Sequence, residues 1–359
     1  MNTKTEKTRL SLLTHYRRYP KLQLRDILKY LHQSAFGCEH LVSSEDDAVK
    51  RIRAEYAKAE RTNERTLDRL DGEYSRVHLS CLNDGISPET LGRLFYLSSQ
   101  REETGEAELL CKLQAVRELI HEAELPFSEA EFERILDEWR KDGYTALRHS
   151  ETFRSEYRPA YRVISNKYAE LLPVFSLIDK SLRDGSAVIA IEGGSASGKT
   201  TLANMIAQIY GCTVFHMDDF FLRPEQRTAE RLSETGGNVD RERFSEEVLK
   251  SLSKGGEVTY RRFDCGAQAL CPPMTVKPSK LTVVEGAYSM HPELAPYYTA
   301  SIFLDIDSEY QRERILKRNT PYHAERFFRE WIPLELKYFS EMRIKEKCTI
   351  NLSVTRPIA

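Results

Sequence analysis

Leu24, Ile27, Leu28 and Leu31 recur at i, i+3, i+4 and i+7, a spacing that places four apolar side chains on one face and predicts a buried helix face. A mostly helical pattern continues from Lys21 to about Gly143, which closes the last helix of the series. Helix starts are marked by Ser44 before Glu45, Asp46 and Asp47, by Ser87 before Pro88, and by Ser128 before Glu129, Ala130 and Glu131. Each serine offers a capping oxygen, and the first and last also place a carboxylate three residues on. Between these helices, the irregular polar pieces at 34–43 and 71–80, and a third at 148–164, read as loops or short strands. A long helical stretch is expected from about Tyr161 to Asp184, kinked at Pro173, and leads to Gly185.

Beyond Gly185 the pattern changes to short apolar runs alternating with helices. Strands are expected at 187–192, 213–217, 281–286 and 301–307, with a last one within 348–354. Uninterrupted apolar strands separated by helices predict a parallel sheet covered on both faces. The fold class is therefore α/β, preceded by a mostly α-helical part: a helical domain over 1–160, a helical connector over 161–185, and an α/β domain over 186–359.

Length and composition agree with this division. A chain of 359 residues fits two domains, each able to bury its own core. Charged residues make up 30% and the net charge is -2, so no global basic field draws the chain to nucleic acid or to an anionic membrane. The first residues lack the continuous apolar core of a signal peptide, and no segment approaches the roughly 20 apolar residues of a membrane span. A soluble cytoplasmic protein is expected. Seven scattered cysteines with no CxxC pair read as reduced thiols, and indicate neither a disulfide framework nor a zinc site.

The densest chemistry lies in Gly193-Gly194-Ser195-Ala196-Ser197-Gly198-Lys199-Thr200-Thr201. It fits the phosphate-loop pattern GxxxxGK[ST], with an apolar strand before it and a helix-compatible run after it. The glycines let successive N–H groups turn toward a β-phosphate, and the helix dipole adds positive potential. Lys199 suits neutralisation of β/γ oxygens, and the Thr200 hydroxyl suits Mg²⁺ ligation. A second strand ends in the cluster His216, Met217, Asp218 and Asp219, with Asp218 nineteen residues after Lys199. Carboxyl ends of strands face the ligand crevice of an open α/β sheet, so one of these carboxylates is a natural general base or hydroxyl-orienting group.

The set GGSASGKTTLA, HMDDFFL, VVEG, and FLDID followed by QRERILKRN resembles the uridine kinase and phosphoribulokinase superfamily of P-loop kinases over roughly 187–339. The resemblance implies a P-loop kinase sheet using ATP and Mg²⁺. It makes Asp218 the catalytic base, with Asp219 beside it on the substrate side, and gives Glu285 a Mg²⁺-shell or acceptor-side role together with Thr200. It further places acceptor contacts at Asp240, Tyr260, Arg262 and Asp264. Uridine kinases usually show a tyrosine-aspartate-phenylalanine run followed by a histidine, whereas this chain reads Tyr260-Arg261-Arg262-Phe263-Asp264-Cys265. Arg312, Arg314 and Arg318 fall on the helix that serves as a lid in relatives, where guanidinium groups suit phosphoryl oxygens. The aromatic run at Phe327, Phe328 and Trp331 reads as core or lid packing.

The first domain concentrates His40, His78 and His149 with Glu39, Glu73, Glu151, Arg76, Arg154 and Arg158 in polar knots between helices. These form a second site for a phosphate or carboxylate, a metal site through the histidines, or a set of helix caps and stitches; the absence of HxxxH spacing favours the last.

The functional reading is an ATP-dependent small-molecule kinase acting on a hydroxyl acceptor, nucleoside or nucleoside-like, with no membrane or nucleic-acid partner and with oligomerisation left open. The alternative is an ATP-hydrolysing regulatory or switch protein whose first domain binds a partner; no NKxD guanine motif is present. A nucleic-acid end kinase would need a basic groove that the composition does not announce.

Overall fold

The computed structural model describes residues 3–38, 42–58, 66–100 and 105–358. The chain divides into two compact units, Met1–Ser176 and Leu177–Ala359, with the border inside the helix Leu172–Ser181. No helix among the described residues is long and apolar enough to cross a membrane.

The first unit is helix-rich. Leu24, Ile27, Leu28 and Leu31 are all buried on the helix Leu24–Phe36, as their spacing requires. Ser44, Ser87 and Ser128 each accept a hydrogen bond from the backbone N–H three residues on and start the helices Glu45–Tyr56, Pro88–Ser98 and Glu129–Lys141. A helix over Thr3–Arg18 precedes them, and its predominantly polar surface gives the sequence pattern little to read.

The helices surround a three-stranded antiparallel sheet of β1 (Leu67–Arg69), β2 (Tyr74–His78) and β3 (Tyr161–Ser165), in that order. The third strand corrects the helix expected from Tyr161. Arg162 to Ser165 are buried against β2, with Tyr161 opposite His78 and Ser165 opposite Tyr74, so tertiary pairing of a short Val-Ile run overrides the helical reading. Pro173 does not kink a long helix either. It occupies the first turn of Leu172–Ser181, where its missing N–H costs little.

The second unit is built on a five-stranded parallel sheet: β4 (Ala187–Gly193), β5 (Thr213–His216), β10 (Leu281–Glu285), β11 (Ala300–Ile306) and β12 (Ile350–Val354), with spatial order β12-β11-β4-β10-β5. All four pairings are parallel. Every residue of β10 is buried, so both faces of the sheet centre are covered. Glu285 registers with Ile191 on one side and His216 on the other, which aligns the carboxyl ends of three strands. Between β5 and β10 the chain forms a small antiparallel extension. It contains β6 (Val258–Tyr260) with β9 (Met274–Val276), and β7 (Phe263–Asp264) with β8 (Ala269–Leu270).

Candidate active site

The loop after β4 turns through residues whose backbone only small or unbranched side chains tolerate. Gly193 has φ 149°, Ala196 φ 61° and Gly198 φ 101°, and a Cβ on Gly193 would lie 2.6 Å from the Leu304 carbonyl oxygen. The helix Lys199–Tyr210 starts directly after Gly198. Lys199 Nζ donates to the carbonyls of Gly193 and Gly194 at 2.8 and 3.0 Å, so the ammonium is folded over the loop.

Glu285 at the end of β10 is buried, and one oxygen, Oε1, takes two partners. The Thr200 hydroxyl lies at 3.0 Å and His216 Nδ1 at 2.6 Å. Chemically, the Thr200 hydroxyl and the Glu285 carboxylate are the hard oxygen donors that Mg²⁺ accepts. Asp218 follows β5 within the short turn Met217–Phe220. The residue is exposed at its surface, yet the surrounding protein partly desolvates its carboxyl. That desolvation raises its pKa, with Glu285 adding to the effect and Lys199, His216 and Arg318 opposing it. Asp219 is also raised, chiefly by desolvation, with His216 and then Arg262 opposing.

On the far side of the loop the helix Ser308–Arg318 presents Gln311 and Arg314. Gln311 Nε2 donates to the Ser195 carbonyl at 2.8 Å. Arg314 Nη1 would be 3.6 Å from a Cβ on Gly198, and it is buried without a hydrogen-bond partner among the described residues. The Ser197 hydroxyl is likewise buried and unpartnered there. Two orphaned donors beside the N-terminus of the helix Lys199–Tyr210 fit a polyphosphate, which would satisfy both. Ala196 packs with Ile315 and Ala324, and Phe327, Phe328 and Ile332 close around them, so the aromatic run is packing against the loop.

Other expected positions lie elsewhere or are already engaged. The Asp240 carboxylate is buried, caps Arg241–Phe244 and pairs with Arg243 Nε at 3.1 Å. Asp264 is exposed and accepts from the N–H groups of Gly266 and Ala267, holding its own hairpin turn. Tyr260 is packed with Phe215 and Phe220. Arg262 is exposed, and Arg312 lies over the Phe328 ring. Among the histidines of the first unit, His78 and His149 bond to Asp68 and Asp26, and His40 and Glu39 lie outside the described residues. No group of three His, Cys, Asp or Glu among the described residues is arranged to hold a metal.

Two carboxylates here were not singled out by the sequence. Glu335 is buried and accepts from Ser195 N at 2.8 Å and Ser195 Oγ at 2.7 Å. Glu192, fully buried, accepts from the N–H groups of Gly193 and Met290 and from the Tyr338 hydroxyl. Burial lifts its pKa to about 7 against those hydrogen bonds. The one available signal for Glu192 was a charged residue ending an otherwise apolar strand.

Residues 188–325 match the phosphoribulokinase / uridine kinase family. The chain is 32% identical over 141 residues to the tRNA-specific adenosine deaminase subunit tad2 of Schizosaccharomyces pombe, covering 37% of this chain and 34% of that protein. It is 30% identical over 142 residues to uridine kinase-like protein 3 of Arabidopsis thaliana, covering 37% of this chain and 30% of that protein. The chain thus spans roughly a third of the length of these relatives. Among solved structures, a possible uridine kinase from Bacillus stearothermophilus superposes with a TM-score of 0.38 at 22% identity, covering 47% of this chain and 89% of that one. The family match over 188–325 falls on the segment that carries the phosphate loop and four of the five parallel strands, and it makes that segment similar to the phosphoribulokinase / uridine kinase family.

Proposed function

We propose that the C-terminal unit transfers the γ-phosphoryl group of Mg-ATP to the hydroxyl of a small metabolite, with a nucleoside or nucleoside-like acceptor as the best single candidate. The observation that carries this reading is the convergence of Asp218, Lys199 and the Thr200–Glu285 pair at the ends of β4, β5 and β10. A phosphate grip with a carboxylate beside it is what phosphoryl transfer to an alcohol requires.

In this reading Lys199 and the start of the helix Lys199–Tyr210, with the Ser197 hydroxyl beside them, receive the β- and γ-phosphates. Lys199 exchanges its loop carbonyls for phosphate oxygens. Asp218 accepts the proton of the acceptor hydroxyl as the oxygen attacks, and its raised pKa brings it closer to that task. Arg314 and Arg318 steady the charge that spreads over the migrating group. Thr200 and Glu285 would hold Mg²⁺, which supplies neutralisation of the phosphate oxygens. The nucleoside-like assignment draws on the family match and on the extension at 258–276, where Arg262 faces the Asp219 field.

The test is acceptor-dependent turnover by the full chain against a panel of nucleosides, sugars and other hydroxyl metabolites. Phosphorylated product and accelerated ADP release are expected with at least one acceptor. ADP release that no acceptor raises above the basal rate would replace the kinase reading with ATP hydrolysis.

A further inference from the structure

Arg76, on the central strand β2 of the first unit, is 2% exposed, yet no carboxylate lies within ion-pair distance of it among the described residues. Its Nε donates to Gln33 Oε1 at 2.9 Å, and its Nη1 lies 3.5 Å from His15 Nε2. Burial, and next the Arg76 guanidinium itself, hold His15 well below its ordinary pKa, so the ring is neutral and offers no counter-charge. The rings of Tyr161 and Tyr30 lie 4.8 and 5.4 Å from the guanidinium carbon and supply only partial compensation. Nη2 has no hydrogen-bond partner at all among the described residues. A buried cation with a vacant donor is costly, and proteins keep such groups where a ligand completes them.

Arg76 forms part of the wall of a cleft of about 1100 Å³ within this unit. The Ser80 hydroxyl, the second buried polar atom without a partner on that wall, belongs to the same cleft. Among the described residues, the three lining carboxylates are already matched: Asp68 with Arg18 and His78, Glu55 with Arg162, and Glu156 with Lys21. Among the described residues the uncompensated charge facing the cleft is positive. Tyr19, Phe153, Tyr157 and Tyr161 give the remaining wall a flat aromatic character.

We propose that this cleft binds a small organic anion, whose oxyanion is received by Arg76 and Ser80 and whose planar body lies against the tyrosines. The site is independent of the phosphate loop and of the kinase reading. Phosphate ester and carboxylate share the required chemistry, and two probes separate them: uridine 5′-monophosphate and benzoate.

Isothermal titration uses the full chain carrying Lys199→Ala, which removes the phosphate loop as a competing site. One probe is expected to bind with a stoichiometry of one per chain. Arg76→Gln in that background is expected to weaken binding at least tenfold while leaving the ligand-free melting temperature equal or higher, because it deletes a charge that only the ligand neutralises. A purely structural arginine would show the reverse, a lower melting temperature with binding intact, and that result overturns the proposal. Should Arg76→Gln fail to fold, Ser80→Ala decides: at least threefold weaker binding supports the site, and unchanged affinity overturns it. Absence of binding by both probes overturns it as well.

Discussion

Glu335 holds Ser195 by two hydrogen bonds at once, from its main-chain N–H and from its hydroxyl, across 140 residues of sequence. A carboxylate from the helix Ile332–Glu341 thereby fixes the second residue after the first glycine of the phosphate loop. Glu335→Ala leaves the Ser195 N–H without its acceptor, a loss of roughly 1–3 kcal/mol, which corresponds to about a tenfold higher KM for ATP. Glu335→Gln, which keeps a carbonyl oxygen, is expected to fall between the two. Initial-rate kinetics at varied ATP measure both, and an unchanged KM in the alanine variant would refute loop positioning by Glu335.

Asp218→Asn retains the shape of the turn Met217–Phe220 but removes the proton acceptor. A fall of roughly a hundredfold or more in kcat is expected, with ATP affinity in equilibrium titration unchanged. Full activity of the asparagine variant would move the base elsewhere, with Asp219 next in line.

Gly193→Ala forces a side chain onto a backbone at φ 149° and drives a Cβ to 2.6 Å from the Leu304 carbonyl oxygen. Strain of about 1–3 kcal/mol is expected, read as a lower denaturation midpoint of the second unit with loss of nucleotide binding. Wild-type stability and binding in that variant would mean that the loop adopts another path.

Acid should weaken the first unit. Burial lowers the pKa of His32 to about 4, and burial lowers that of His149 to about 4 despite its hydrogen bond to Asp26. Both rings are neutral in the folded unit, whereas in the unfolded chain they take a proton below about 6.5. The unfolded state then binds more protons, so stability is full above about pH 6.5 and falls as pH drops toward 4, by up to about 1.4 kcal/mol per pH unit for each ring. Thermal melts across that window check the slope, and His32→Gln should reduce it by one proton's share. A flat profile between pH 6.5 and 4 would contradict neutral burial.

The parts legible in sequence were those that depend on near neighbours. Ser44, Ser87 and Ser128 cap helices because a serine oxygen reaches the N–H three residues on, whatever the rest of the chain does. The central strands β4, β10 and β11 were readable because burial on both faces demands continuous apolar runs. The Glu335–Ser195 contact was not readable, since no local pattern connects a carboxylate in one helix with a loop far upstream. Tyr161–Ser165 misled for the same reason: its pairing with β2 outweighs a local preference that a short run cannot express strongly. Spacing does not reveal the local partners of Asp240 and Asp264, which pair with Arg243 and with the N–H groups of a turn.

The strand order also sets a timetable. In the second unit β11 pairs with β12, and Asp307 N–H donates to the Val354 carbonyl, so the outer side of the sheet waits for residues 350–354 to be made. The three strands of the first unit are all made by Ser165, and the unit is complete by Ser176. Domains close as units and in order of emergence. A nascent chain therefore completes the first unit while its phosphate loop still hangs on a sheet lacking its last strand.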